Sequence, residues 1–197
     1  MRVGLTGGIA SGKSAVAEFL KNENIPVVDA DEVSRAVMRP GSSLFHDIVQ
    51  AFGHEVLNQD GDLDRMALGE KVFSNPQALE RLNALTHPVI WAEMQRQVTE
   101  LEKVHPLVVV MVPLLLENRR QDWVDEVWLV SLPRQVQKAR LMERNHLTEE
   151  QAEARISAQM PLAEKLTLAD RVIDNSGSLE QLHQSLLEVL RQAQHSL

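Results

Sequence analysis

Five short apolar stretches stand out along the 197-residue chain: Val3 to Thr6, Ile25 to Val28, Leu107 to Val112, Glu126 to Ser131 and Arg171 to Ile173. They are rich in Val, Ile and Leu and do not alternate cleanly with polar residues, as expected of strands buried on both faces. Segments of helical periodicity separate them. The pattern therefore predicts an α/β fold, a five-stranded parallel sheet with crossover helices on its flanks. Right-handed crossovers bring the loops that bind ligands to the carboxyl edge of such a sheet.

Between Val28 and Leu107 lies far more chain than one crossover needs. Leu79, Leu82, Leu85, Val89, Ile90, Met94, Val98 and Leu101 recur at steps of three and four, the mark of an apolar helical face. Pro88 is expected to break or kink that face near its middle. Residues 60–105 read as a helical insertion beside a core of 1–59 and 106–197, introduced by the turn Asn58-Gln59-Asp60-Gly61-Asp62. An acceptor-binding module and an extra core-covering helix both satisfy the periodicity. Further on, Thr148-Glu149-Glu150-Gln151 has the spacing of a capping box, and Leu179, Leu182, Leu186 and Leu190 form a packing stripe on a last helix.

Composition narrows the function classes. A net charge of −8 argues against nucleic-acid binding, which wants a basic surface. With no cysteine, thiolate catalysis and Cys-type metal sites are excluded, and the seven histidines include no H-x-x-x-H pair. The apolar run from Leu107 to Leu116 contains Pro113 and is too short to span a bilayer. The first strand begins within the first few residues, which leaves no room for a signal peptide. The expectation is a soluble, cytoplasmic protein without nucleic-acid or membrane partners.

The chemistry enters at Gly7 to Ser14, which read Gly-Gly-Ile-Ala-Ser-Gly-Lys-Ser and meet G-x-x-x-x-G-K-[ST] at Gly7, Gly12, Lys13 and Ser14. The octapeptide follows an apolar strand and precedes the helical run Ala15 to Leu20, the setting a phosphate-binding loop requires. Its backbone N–H groups, from Gly8 through Ala15, curl toward an anion, and the next helix adds its positive end. Lys13 is expected to reach the β- and γ-phosphates of a nucleoside triphosphate and Ser14 to ligate Mg²⁺. A phosphoryl transferase also needs a carboxylate for the acceptor's proton. Asp29-Ala30-Asp31-Glu32 follows the second strand, and Asp31, just past the strand end, is the candidate base and second metal partner. Helix N-capping is the competing role for both aspartates, more so for Asp29. The run after Pro133 sets Arg134 against Lys138 and Arg140 against Arg144 at i,i+4, like-charge pairs that need a triphosphate or acidic neighbours to compensate them.

Taken in order, these residues resemble the dephospho-CoA kinase family. The match runs from Gly4-Leu5-Thr6 through the loop and Val28-Asp29-Ala30-Asp31 to Asp60-Gly61-Asp62-Leu63-Asp64-Arg65, Val72-Phe73, His87-Pro88, Pro113-Leu114-Leu115-Leu116-Glu117, Ala158-Gln159-Met160-Pro161 and Val172-Ile173-Asp174-Asn175-Ser176-Gly177. The resemblance implies a P-loop kinase core, a helical CoA-binding insertion, a helical lid over about 138–162, and transfer of the ATP γ-phosphate to the ribose 3′-hydroxyl of dephospho-CoA. It implies that Asp31 is the general base and that Arg140 is a lid arginine over the triphosphate, with Arg144 an assistant or a surface charge. It places Asn175 near the adenine ring, and it sets Arg65 and His87 by the acceptor, although a structural hydrogen bond is the simpler role for His87. A monomer or weak homo-oligomer is expected.

Three positions depart from the family's usual pattern: Ala10 for glycine, Ala15 for threonine and Met111 for aspartate. Ala10 must keep a negative φ or accept strain. Ala15 lacks a hydroxyl, worth about 1 kcal/mol toward the α-phosphate. Met111 removes an acidic group from the end of the third strand, leaving Ser14, Asp31 and water for the metal. Another small-molecule or nucleotide kinase shares the loop, the aspartate and the arginines. A GTP switch does not fit, because N-K-x-D is absent and the D-x-x-G match, Asp174 to Gly177, falls near the C-terminus.

Overall fold

The computed structural model describes residues 1–73 and 75–194, without the side chain of Gln194. In chain order the elements are β1 (Arg2–Gly7), α1 (Lys13–Asn22), β2 (Val27–Asp29), α2 (Ala30–Val37), α3 (Ser43–Phe52), α4 (Arg65–Phe73), α5 (Pro76–Glu102), β3 (Val108–Met111), β4 (Glu126–Ser131), α6 (Arg134–Asn145), α7 (Glu149–Ser157), α8 (Leu162–Leu168), β5 (Arg171–Asp174) and α9 (Leu179–Gln194). They divide into two compact units. One comprises Met1–Val28 with Glu100–Leu197, and the other is Asp29–Thr99.

The first unit is built on a five-stranded parallel sheet of order β2-β3-β1-β4-β5. β1 lies at its centre, with Val3 opposite Val109 on one side and Glu126 on the other. All four residues of β3 are buried, which is why that strand reads as an unbroken apolar run. Val3, Leu5, Val109, Trp128 and Val130 pack with Val16 and Leu20 of α1 and with Leu182, Leu186 and Leu190 of α9. Each fully buried Val or Leu contributes roughly 1.5–3 kcal/mol relative to exposure, so this cluster dominates the stability of the sheet. The stripe on α9 is thus packing, although Leu179 at its start is 62% exposed.

The second unit starts well before residue 60. Its core joins Leu44, Ile48 and Phe52 of α3 to Val56, Leu68 and Val72, with Leu79, Leu82 and Leu85 of α5 against them. The apolar face of α3 therefore belongs with α4 and α5, a pairing that local periodicity does not reveal. The turn at 58–62 is present, closed by Asn58 N–H to the Asp62 carbonyl at 2.8 Å with Gly61 at φ 81°. Pro88 does not break α5, which runs through it. A proline removes one backbone hydrogen bond, and the helical turns on either side carry that loss.

Candidate active site

The segment joining β1 to α1 folds as a phosphate loop. Gly12 precedes the helix at φ 94°, a left-handed conformation that glycine adopts without a steric penalty. A Cβ there would also fall 2.0 Å from Nδ2 of Asn175. Ala10 sits at φ 57°, so the second of the two alternatives holds and the alanine carries the strain. Lys13 arches back over the loop, its Nζ donating to the carbonyls of Gly7 and Gly8, each at 2.9 Å. Ser14, one residue further, is exposed at the start of α1. Asn175, from the end of β5, is buried and donates through Nδ2 to the Ser11 carbonyl at 2.7 Å. Its side chain braces the loop from below, a task not visible in the sequence.

The α6–α7 hairpin holds the loop from another side. Gln159, just past α7, accepts the Ile9 N–H at 2.7 Å, and Gln137 of α6 donates to the Ile9 carbonyl at 2.8 Å. Ile9 and Ala10 pack against Leu141, Ala152 and Ile156 of the same hairpin. Thr148 and Gln151 form the expected capping box at the head of α7. The like-charge pair Arg134 and Lys138 is compensated by acidic neighbours: Arg134 pairs with Glu153 and Lys138 with Glu149, both on α7. The hydrogen bond from Lys138 holds the Glu149 carboxyl below its ordinary range. Arg144 donates to Asn145 Oδ1 at 2.9 Å. Half-buried Arg140 makes no side-chain hydrogen bond or ion pair among the described residues, so its guanidinium is uncommitted.

A cavity of about 240 Å³ opens beside the loop, lined by Gly8, Ser11, Arg134, Gln137, Gln159 and Lys165 among others. Lys165 of α8 is only 1% exposed. It pairs with Glu117 at 2.6 Å, but off the hydrogen-bond axis, so its Nζ has no hydrogen-bond partner. Glu117 follows the Pro-Leu-Leu-Leu run after β3 and also accepts weakly from Met160 N–H at 3.4 Å. Lys165 is a site residue that sequence reading misses, because nothing in Leu-Ala-Glu-Lys-Leu marks its lysine as buried.

In the second unit, Asp29 and Asp31 take different roles. Asp29 caps α2, its Oδ1 accepting the Asp31 N–H at 2.8 Å, and the helix starts at Ala30. Burial pushes the Asp29 carboxyl up from its ordinary range, against the lowering effect of that hydrogen bond. The exposed Asp31 carboxylate accepts no hydrogen bond among the described residues. Arg65 and His87 line one cavity of about 340 Å³, together with Asn83 and the apolar Met38, Leu63 and Phe73. The His87 side chain makes no hydrogen bond among the described residues.

Comparison with known proteins agrees with this geometry. The family model described as dephospho-CoA kinase matches residues 1–181. The chain belongs to the dephospho-CoA kinase family. It is 46% identical to the dephospho-CoA kinase of Geobacillus kaustophilus over 98% of this chain and 96% of that one. Among solved structures it is similar to TT1252 from Thermus thermophilus, with a TM-score of 0.84 at 35% identity, covering 98% of this chain and 97% of that one. It is similar also to the dephospho-CoA kinase from Campylobacter jejuni, with a TM-score of 0.75 at 28% identity, covering 98% and 96%. Against the usual dephospho-CoA kinase pattern, Ala15 packs on the main apolar core and Met111 is buried at the end of β3.

Proposed function

We propose that the chain transfers the γ-phosphoryl group of ATP to the ribose 3′-hydroxyl of dephospho-CoA, giving CoA and ADP, the final step of coenzyme A synthesis. The observation that carries this reading is the braced loop at β1–α1 in a chain of the dephospho-CoA kinase family. The loop amides and Lys13 bind the β- and γ-phosphates, and Arg140 stabilises charge on the transferring group. Asp31 orients the 3′-hydroxyl and takes its proton. Arg65 and His87 contact the acceptor, which their shared cavity supports. The α6–α7 hairpin acts as the lid, excluding water so that ATP is not hydrolysed without an acceptor.

The magnesium ion travels with the triphosphate. A hydroxyl at Ser14 and a carboxylate at Asp31 suit a hard cation that keeps several waters, and no group of three or more metal-ligating side chains occurs among the described residues to hold it independently. When bound, the ion neutralises charge on the phosphate oxygens.

The test is incubation with Mg-ATP and dephospho-CoA, following ADP release and product mass together. Acceptor-dependent ADP with a product heavier by one phosphoryl group is the expected result. ADP formed equally without acceptor, or no ADP at all, would reject the substrate assignment.

A further inference from the structure

Ile9 is held in an unusual way for a loop residue. Its N–H is taken by Gln159 Oε1 at 2.7 Å, and its carbonyl takes Gln137 Nε2 at 2.8 Å. The two glutamines come from opposite arms of the α6–α7 hairpin, far from Ile9 in the chain. A local turn could satisfy one of these groups, but here side-chain amides satisfy both. The residue that follows is Ala10, at φ 57°. That conformation is unfavourable for any residue with a Cβ and persists only where the surroundings over-determine it. The bond to the Ile9 carbonyl fixes the peptide plane that enters Ala10, the bond from the Ile9 N–H fixes the plane before it, and the Ile9 and Ala10 side chains are seated on Leu141, Ala152 and Ile156 of the same hairpin. The left-handed turn at Ala10 in turn sets the direction of the N–H groups of Ser11 and the residues after it.

We propose that Gln137 and Gln159 are positioning residues that hold the phosphate loop in its left-handed form at Ala10, coupling nucleotide affinity to the α6–α7 hairpin. This rests on the nucleotide-binding reading given above, but not on the identity of the acceptor. With glycine at residue 10 the loop would reach that form unaided; with alanine it requires the clamp. The two amides are therefore matched to the alanine, and removing either should release the loop toward conformations with a negative φ at Ala10.

The experiment measures ADP affinity by calorimetry and, separately, KM for Mg-ATP and kcat. It uses the parent, Gln137→Ala, Gln159→Ala, and each combined with Ala10→Gly. Each glutamine variant is expected to weaken ADP binding and raise KM about tenfold, the effect of losing one well-placed hydrogen bond, with kcat changed less than about threefold. Ala10→Gly in the same chain should bring both constants back to within about threefold of the parent. Unchanged ADP affinity in both alanine variants would overturn the proposal. So would a loss that Ala10→Gly fails to lessen, since the glutamines would then act by direct contact or bulk rather than through the loop. A parent that binds no ADP would overturn the clamp together with the functional reading, whereas a parent that binds ADP but ignores dephospho-CoA would reject only the acceptor. If an alanine variant does not fold, Gln137→Met and Gln159→Met keep the volume without the hydrogen bond and carry the same expectation.

Discussion

Lys165 and Glu117 allow a sharp test of how a buried charge is tolerated. The lysine is 1% exposed and the Glu117 side chain 18%, so the two ends of the pair are not equivalent. Glu117→Leu leaves a buried ammonium with neither its ion-pair partner nor a hydrogen-bond partner for its Nζ. Removing one member of a buried pair typically costs about 3–5 kcal/mol. For a chain of this size that corresponds to a fall in Tm of roughly 6–20 °C. Lys165→Met leaves Glu117 Oε2 buried without a hydrogen-bond partner and Oε1 with only the Met160 N–H at 3.4 Å, so a loss of about 3–5 kcal/mol is expected there too. The double variant should recover to within about 1 kcal/mol of the parent or exceed it, since an apolar pair of similar volume avoids both desolvation costs. Urea denaturation of the four proteins gives the cycle directly, provided the slopes agree. A coupling energy above about 2 kcal/mol is expected, and additivity within about 0.5 kcal/mol would refute the claim that the two groups depend on each other.

Asp31→Asn should lower kcat by about 10²–10⁴ while leaving ADP affinity near the parent's; retained turnover would remove Asp31 as the base. Asp29→Asn should keep the stability of α2, because asparagine caps equally well, whereas Asp29→Ala should lose about 0.5–2 kcal/mol in urea denaturation. Glu126 is held below its ordinary range chiefly by the Arg171 guanidinium, with which it pairs at 2.7 Å between β4 and β5. A depressed carboxyl stabilises the fold above its unfolded pKa of about 4.3 and loses that contribution as pH falls toward its lower folded value. The urea midpoint should therefore fall more steeply below about pH 4.3 in the parent than in Glu126→Gln.

The strands and the phosphate loop were legible because their signals are local: apolar runs, glycine spacing, and a lysine and serine at fixed offsets. The capping box at Thr148 was legible for the same reason. The choice between Asp29 and Asp31 was open in the sequence because both residue types cap helices, and only the observed start of α2 assigns the cap to Asp29. The clamp on Ile9 and the brace from Asn175 join residues more than a hundred positions apart, and periodicity carries no information about such pairs. Lys165 was hidden because a lysine on a short helix ordinarily faces water. The grouping of α3 with α4 and α5 was not legible, because α3 reads as an ordinary crossover helix until its packing partners are known.

The placement of β1 at the centre of the sheet has a consequence for synthesis. Arg2 pairs in register with Val108, and Val3 with Glu126, so when β1 leaves the ribosome it has neither of these neighbours yet. At about 5–20 residues per second the delay is on the order of ten seconds, during which Val3 and Leu5 remain uncovered and both strand edges stay open. The cluster of Leu44, Ile48, Phe52, Val56, Leu68 and Val72 meets no such delay, because its members lie close together in the chain. Asn175 emerges later still, with the last strand. A nascent chain that stops short of β5 therefore carries the whole phosphate-loop sequence and lacks the Asn175 side chain that holds the Ser11 carbonyl.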